Sequence, residues 1–283
     1  MKTAFVTFES QSNRPRGSVG STRIRCRWLY DMWEDAEDYQ IGKKYDALIF
    51  QKVYWDKMME EFKGIKIMDL CDPDWMQGRD VMKYCNMADA VVTSTQALAD
   101  YIKKFVKGKP VICIADRVKM SEHEPYRKKE HGPTIRKAVW FGYLHNTVYI
   151  EAVLRHLAKR GISLTVIADK ALCVPDDLDL ELKNVGFSYP NVHEEIAKAD
   201  VAIMPIAGEV DLRGSFKSNN KTLTCWALGV PVVQYPDDFD KLATKESREK
   251  YAEEHYQEIL DNWTVEKSVQ EYKDLIGGIK RKD

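Results

Sequence analysis

Short apolar runs alternate with helical patterns along the chain. Each run in the first part of the sequence covers four or five residues and is rich in Val, Ile, Ala and Phe. Runs of this length and composition are typical of strands that are buried on both faces of a parallel sheet. They predict strands over residues 4–8, 47–50, 65–68, 90–93 and 111–115.

The clearest helical pattern begins after Ser94, a residue type that caps helices well. Leu98, Ile102 and Phe105 follow at spacings of four and three residues. This spacing places the three side chains on one face of a helix. We therefore expect that face to pack against the sheet.

The alternation stops over residues 119–136 and then restarts. This stretch carries Lys, Arg, His, Glu, Pro and Gly with almost no apolar residues, which is typical of a linker. The second series predicts strands over residues 138–141, 163–168, 201–204 and 230–234, and helices over residues 148–159, 193–198, 220–228, 245–260 and 264–276.

Two series of strands and helices separated by a polar linker predict an α/β fold with two Rossmann-like, doubly wound lobes, each built on a parallel sheet. The last helix is expected to pack back on the first lobe. The expected boundaries are residues 1–118 for the first lobe, 119–136 for the linker, 137–262 for the second lobe and 263–283 for the returning helix.

Composition and charge exclude several classes of protein. The 43 basic and 44 acidic side chains argue against a protein that coats nucleic acid by bulk charge. No apolar run approaches the roughly 18 residues of a membrane helix, and the apolar stretch near Met1 is too short for a signal peptide. We therefore expect a cytoplasmic protein without a transmembrane segment.

Known motifs exclude further chemistry. The six cysteines show no CxxC and no Cys/His ligand spacing, which argues against a zinc site and a disulfide framework. The GxGxxG, Walker and GxSxG patterns do not occur in the sequence. Their absence argues against the commonest dehydrogenases, ATPases and hydrolases.

The entrance to the helix near residue 220 concentrates hydrogen-bond donors and positive charge. A helix N-terminus offers backbone N–H groups and a partial positive charge, which favour a phosphate. Two lysines add charge and four polar side chains add donors, so the segment is suited to neutralising a diphosphate without a metal ion. An amphipathic helix with a polar start is the alternative, because Ser and Asn cap helices routinely. The residues concerned are Lys217, Ser218, Asn219, Asn220, Lys221 and Thr222.

This segment resembles the donor half of glycosyltransferases that have the GT-B fold and use nucleotide-sugars, in particular the group 1 type. Residues 217–221 enter the helix, and residues 227–232 follow the pattern small-x-Gly-x-Pro-Val. Residues 139–144 resemble the first strand and glycine turn of the donor lobe, and residues 88–102 resemble the late strand and helix of the acceptor lobe. The resemblance covers most of the chain, and residues 217–232 are its most specific part.

The resemblance implies a nucleotide-sugar bound in the second lobe and an acceptor bound in the first, with no metal or other cofactor and with a retaining outcome. It implies that Gly142, Tyr143 and His145 border the donor. His145 would contact the donor phosphate or sugar, or would instead belong to a helix-capping stretch.

The sequence also departs from the resembled family. Many relatives carry two glutamates eight positions apart, which contact the transferred sugar and the ribose, and Phe216 and Thr224 occupy these positions. Tyr143 replaces the basic residue that often follows the glycine turn. Lys217 and Lys221 would therefore neutralise the charge of the phosphates.

The first lobe is expected to supply the acceptor side. A turn that contains Gly20 follows the first strand, and five arginines lie between Arg14 and Arg27, among them Arg23 and Arg25. They would bind an anionic acceptor such as a nucleic acid backbone, or help to hold the donor pyrophosphate. A solvated basic helix face is the third interpretation.

Asp72 is the candidate proton acceptor of the first lobe. It follows the third predicted strand, and a carboxylate at the carboxyl end of a strand can accept a proton from an acceptor hydroxyl or hold the acceptor sugar. The alternative is that Asp72 and Asp74 cap the next turn.

Together these patterns predict a metal-independent glycosyltransferase. Lys217, with Lys221 and the helix N-terminus, would stabilise the charge that grows on the departing diphosphate. One variant takes DNA or a modified nucleobase as acceptor, because of the arginines and because the chain is short for this fold. A non-catalytic nucleotide-binding protein of the same fold is the rival interpretation, since the paired glutamates are missing.

Overall fold

The computed structural model describes residues 1–11, 19–189, 191–209 and 211–279. Arg14 and Arg16 of the arginine-rich turn lie outside these ranges. The chain divides into two compact units. The first unit comprises Met1–Arg117, Asp211–Ser218 and Thr264–Asp283, and the second comprises Val118–Val210 and Asn219–Trp263.

The first unit contains a parallel sheet of six strands in the order β2-β1-β3-β4-β5-β6. The five predicted strands are present, each within two residues of its expected bounds. Their bounds are β1 (Thr3–Val6), β2 (Ala36–Asp38), β3 (Ala47–Gln51), β4 (Ile65–Leu70), β5 (Ala90–Thr93) and β6 (Val111–Cys113). The register pairs Gln51 with Asp69, so the ends of β3 and β4 lie side by side.

The second unit contains a parallel sheet of five strands in the order β11-β10-β7-β8-β9. Sequence patterns predicted four of them. Their bounds are β7 (Lys137–Gly142), β8 (Ser163–Ala168), β9 (Leu182–Gly186), β10 (Val201–Ile203) and β11 (Val232–Val233).

Helices connect the strands in both units. A π-helical turn, Arg23–Arg27, separates the first two. The bounds are α1 (Gly20–Thr22), α2 (Trp28–Asp31), α3 (Asp56–Glu61), α4 (Val81–Met87), α5 (Gln96–Lys103), α6 (Met120–His123), α7 (Glu151–Lys159), α8 (Asn191–Ala197), α9 (Asn220–Ala227), α10 (Asp238–Lys241), α11 (Lys245–Asn262) and α12 (Val265–Gly278).

Alternate residues of each buried strand serve opposite faces of the first sheet, as the two-residue period of a strand requires. Ala4 and Val6 belong to the core on one face, and Phe5 belongs to the core on the other. The helix α12 covers the second face, where Tyr272 lies edge-on to Phe5 at 6.2 Å between ring centroids. The predicted return of the last helix to the first lobe is confirmed.

The polar stretch predicted as a linker lies within the second unit. It contains α6, and its side chains find partners along the unit's surface. Lys128 donates from Nζ to the carbonyl of Ala199 at 2.7 Å, and Arg248 donates to the carbonyl of Gly132 at 2.6 Å. The composition of this stretch resembles that of a free connection because it has few apolar residues, but Met120, Tyr126 and Ile135 pack against the cores of the second unit. Within the described residues, no helix is long and apolar enough to cross a membrane.

Candidate functional site

The end of β7 in the second unit lies close to the side chain of Lys221. Gly142 has φ 154°, a conformation that favours glycine. A Cβ at this position would meet the ammonium of Lys221. That ammonium lies 5.1 Å from the ring centroid of Trp140 and 6.0 Å from that of Phe141, within the range of cation–π attraction. The structure thus brings together two of the predicted donor residues, Gly142 and Lys221.

Helix α9 begins beside this glycine turn without a side-chain cap. The N-cap residue is Asn219, and its side chain makes no capping hydrogen bond. Thr224, at one of the two positions where relatives carry glutamate, donates from Oγ1 to the carbonyl of Asn220 at 2.9 Å. The Thr224 hydroxyl is therefore bonded within α9. The first turn of α9 carries the partial positive charge of a helix N-terminus.

Two exposed rings follow the glycine turn. Tyr143 and His145 stack with 5.8 Å between centroids and 14° between planes. The backbone N–H of Leu144 donates to the carboxylate of Asp169 at 2.7 Å, which fixes the turn against the end of β8. We call Gly142, Tyr143, His145 and Lys221 the second-unit cluster.

Lys217 and Ser218 belong to the first unit, whereas Asn219, Asn220, Lys221 and Thr222 belong to the second. Residues on both sides of Lys217 anchor it. Ser218 donates from Oγ to Asp116 at 2.5 Å. Phe216 is buried, and its backbone carbonyl accepts a hydrogen bond from Thr95 at 3.3 Å.

The surroundings of Lys217 are mixed in charge. Burial and the neighbouring Arg213 lower the pKa of Lys217 below its usual value, while Asp211 and Asp72 act in the opposite direction. The electrostatic effect of Asp72 on Lys217 was not predicted from the sequence. It arises because residues 211–218 belong to the first unit, although the segments before and after them in the chain belong to the second.

Asp72 lies in a group of four polar side chains at the ends of β3 and β4, which we call the carboxylate cluster. Lys52 holds its ammonium 2.5 Å from Asp72 Oδ2 and 3.3 Å from Asp74 Oδ1. The hydroxyl of Tyr54 donates to Asp74 Oδ2 at 2.7 Å. Burial lowers the pKa of Lys52, but Cys71, Asp72 and Asp74 raise it by more, so its net pKa lies above the usual value.

The backbone of Lys52 is left-handed, with φ 53°, and no other non-glycine residue of the described ranges has a positive φ. Such a conformation costs free energy and concentrates at functional sites. Sequence analysis missed Lys52 and Tyr54. Both residues come just after a buried strand, at the same end of the sheet as Asp72. That position could have identified them from the sequence.

Two arginines of the π-helical turn, Arg23 and Arg25, lie inside the first unit. Arg25 is 3% exposed and donates to Asp69 at 2.8 Å and to Asp116 at 2.7 Å. It also donates to the carbonyl of Ile114 at 3.1 Å and to the hydroxyl of Tyr272 at 3.3 Å. Arg23 is also buried, and Gly20 starts α1. The contact of Arg23 and Arg25 with an anionic acceptor stays a prediction. In the structure, two buried carboxylates engage the Arg25 guanidinium.

No protein-family model and no curated protein sequence matches the chain. Solved structures do match. An α-glucosyltransferase in complex with UDP-glucose and DNA containing an abasic site superposes with TM-score 0.68 at 10% identity, over 97% of this chain and 98% of that one. HepE of Anabaena, in complex with UDP, gives 0.64 at 12% identity over 98% and 100% of the two chains.

Two further neighbours are glycosyltransferases of the same fold. WaaG, which is involved in lipopolysaccharide biosynthesis, gives TM-score 0.58 at 12% identity over 98% and 100% of the two chains. TarM gives 0.60 at 10% identity, and this chain spans 58% of the length of TarM. At these identities the likeness shows the fold: the protein has the two-unit α/β architecture of GT-B glycosyltransferases.

Proposed function

We propose that the protein is a glycosyltransferase that moves a sugar from a nucleotide-sugar to an acceptor hydroxyl. The observation that carries this proposal is the approach of Lys221 to Gly142 at the uncapped start of α9. Solved neighbours of the same fold bind UDP-glucose and UDP, which supports a donor of this class.

The donor diphosphate would bind at the second-unit cluster. Backbone N–H groups at a helix start and one ammonium group supply hydrogen bonds and opposite charge. Lys221 packs over the buried rings of Trp140 and Phe141, so its charge is partly desolvated and acts strongly on a nearby anion. Stabilising the charge of the departing diphosphate is the main catalytic contribution that we assign to this cluster.

Lys217 is the second cation that we assign to the reaction. It precedes α9 by three residues, and its anchored neighbours limit the conformations of its backbone. Lys217→Ala should lower turnover by about 100-fold, as for other oriented donors to a developing anion. An unchanged turnover would remove Lys217 from the mechanism.

The carboxylate cluster would hold the acceptor. Asp72 shares the Lys52 ammonium with Asp74, so the ion pair fixes the position of its carboxylate. A carboxylate oxygen held in this way can accept a hydrogen bond from a substrate hydroxyl. We therefore assign Asp72 to orienting the acceptor hydroxyl, one of the two roles that the sequence leaves open.

A DNA acceptor is the second candidate function. It is favoured by the solved α-glucosyltransferase, whose complex contains DNA and whose chain is matched almost over its full length. A retaining outcome and independence of a metal ion are parts of the same proposal. Proton NMR of the anomeric product tests the first, and turnover after treatment with EDTA tests the second.

Thermal unfolding with UDP, GDP, ADP, CMP and TDP tests the donor assignment. A ligand that binds only the folded protein raises its melting temperature, and Lys221→Met should abolish that rise. Lys250→Met is the matched control, because Lys250 lies on the exposed side of α11 in the same unit. Nucleotide binding without turnover on any nucleotide-sugar would instead identify a non-catalytic nucleotide-binding protein.

A further inference from the structure

Phe105 is not where the sequence pattern predicted it. Leu98 and Ile102 are fully buried, but Phe105 is 51% exposed. The helix α5 ends at Lys103, so the helical spacing no longer applies two residues later. The Phe105 side chain is therefore half exposed just beyond the end of the helix. Its ring centroid lies 5.2 Å from that of Tyr101.

Besides Phe105, Tyr101 contacts a second aromatic residue, Trp75. The two rings stack with 4.3 Å between centroids and 6° between planes. Phe216 lies edge-on to both rings, at 5.5 Å from Trp75 and 5.8 Å from Tyr101. Trp75 directly follows Asp74 of the carboxylate cluster. Three rings, Trp75, Tyr101 and Phe105, therefore form a continuous path from the carboxylate cluster to the surface, and we call them the aromatic track.

Exposed lysines surround the outer end of the aromatic track. Residues 96–109 contain four lysines and one aspartate, in a chain whose net charge is −1. Lys103, Lys104 and Lys107 are exposed, and Lys104 lies 5.8 Å from the ring centroid of Tyr101. Lys103 also pairs with Asp100 at 3.6 Å, and Lys107 donates to the carbonyl of Lys103 at 2.8 Å. Lys109 donates to main-chain carbonyls of the same unit. Three exposed lysines thus lie within two residues of the half-exposed Phe105 along the chain.

We propose that the aromatic track and its lysines form the surface on which a nucleic acid acceptor, DNA with unpaired bases, docks on the first unit. Rings accept stacked bases of any sequence, and lysines neutralise the phosphates between them. A polyanion without bases would use the lysines alone, so the rings favour DNA. This inference rests on the proposed function, since it names the acceptor class of the same reaction.

Fluorescence anisotropy with a short labelled single-stranded DNA, titrated over a series of KCl concentrations, tests the surface. Each phosphate contact to single-stranded DNA contributes about 0.7 to the slope of log K against log salt. The double variant Lys103→Gln/Lys104→Gln should therefore lower the slope by roughly 1.4. Phe105→Leu should weaken binding by about 10-fold, whereas Phe105→Trp should keep it, because indole also stacks on bases.

Lys250→Gln is the control, because it removes an exposed lysine from the second unit and should leave both affinity and slope unchanged. The substituted side chains are exposed, and circular dichroism melts verify that each variant folds. Equal affinity and slope in all variants would overturn the inference. So would DNA binding that is insensitive to Phe105 and is matched in strength by heparin, because bases would then be irrelevant.

The two proposals fail separately. If nucleoside diphosphates raise the melting temperature but DNA does not bind through Phe105, the docking inference fails and the glycosyltransferase proposal stands. If DNA binds through Phe105 but no nucleotide or nucleotide-sugar binds, the docking surface stands and the proposed reaction fails.

Discussion

The ammonium of Lys52 lies 2.5 Å from the carboxylate of Asp72, and it reaches that position from a left-handed backbone with φ 53°. An ordinary residue avoids this conformation, whereas glycine adopts it freely. The ion pair and the backbone conformation therefore contribute to stability with opposite signs.

Comparison of Lys52→Ala with Lys52→Gly separates the two contributions. Both variants remove the ion pair, but only Lys52→Gly also relieves the backbone. We expect Lys52→Gly to be more stable than Lys52→Ala by about 1 kcal/mol. Urea unfolding of the two variants provides the measurement, and equal midpoints would show that the backbone at residue 52 is not strained.

Gly142→Ala should damage both stability and nucleotide binding. The new methyl group meets the Lys221 ammonium, and the backbone has φ 154°. We expect a loss of about 1–2 kcal/mol in unfolding free energy and weaker protection by nucleoside diphosphates. Gly186→Ala is the control, because a Cβ there meets nothing within 4 Å. Similar behaviour of both variants in thermal shift would contradict the assignment of Gly142 to the donor site.

Arg25→Met should destabilise the protein strongly. It leaves Asp69 and Asp116 buried without their guanidinium partner, and removal of one member of a buried ion pair costs about 3–5 kcal/mol. Arg27→Met, in the same π-helical turn, should cost less than about 0.5 kcal/mol because Arg27 is partly exposed and lies 3.9 Å from Asp31. Chemical denaturation distinguishes the two, and a mild effect of Arg25→Met would favour its role as an anion-binding residue.

His131 should make stability depend on pH below neutrality. It is 5% exposed, and neither ring nitrogen has a hydrogen-bond partner among the described residues. Burial, with Lys128 and Arg248 nearby, lowers the pKa of His131 from 6.5 to about 4, while Glu249 and Asp200 act in the opposite direction. The unfolded chain therefore binds the proton more readily than the folded chain.

Because the folded pKa lies below the unfolded one, stability rises with pH between about 4 and 6.5 and is constant above that window. The change amounts to roughly 3 kcal/mol. His131→Leu should flatten this part of the curve of unfolding free energy against pH, and it should not lower stability at pH 7, since it removes two unsatisfied polar atoms. A pH profile that is identical in the variant would mean that other groups cause the dependence.

Sequence patterns predict the central strands of both sheets and miss one edge strand of each. Buried strands such as β3 and β4 are mostly apolar, a pattern that few other structures require. The edge strands β2 and β9 are mostly exposed or half-buried, so their composition resembles that of loops. These two segments are strands because they pair in parallel with a neighbouring strand, which their composition does not indicate.

The candidate site was predictable where chain position alone decides its geometry. Asp72 follows β4 and Gly142 ends β7, so both could be assigned from sequence to the carboxyl ends of their sheets. Lys52 was not predictable, because its contact with Asp72 depends on the register of β3 against β4 and on a left-handed backbone. The burial of Arg25 depends on carboxylates of distant strands, which local patterns do not report.

The contacts of Arg25 also limit how early the first unit can complete its fold during synthesis. Its partners Asp69 and Asp116 emerge early during synthesis, but the hydroxyl of Tyr272 lies 247 residues further along the chain. Among the described residues, five of the six α-helices and all six strands of the first unit are translated before residue 118, but Tyr272 belongs to α12. The first unit can therefore reach its native interior only after residue 272 has been synthesised, when the second unit has already been made.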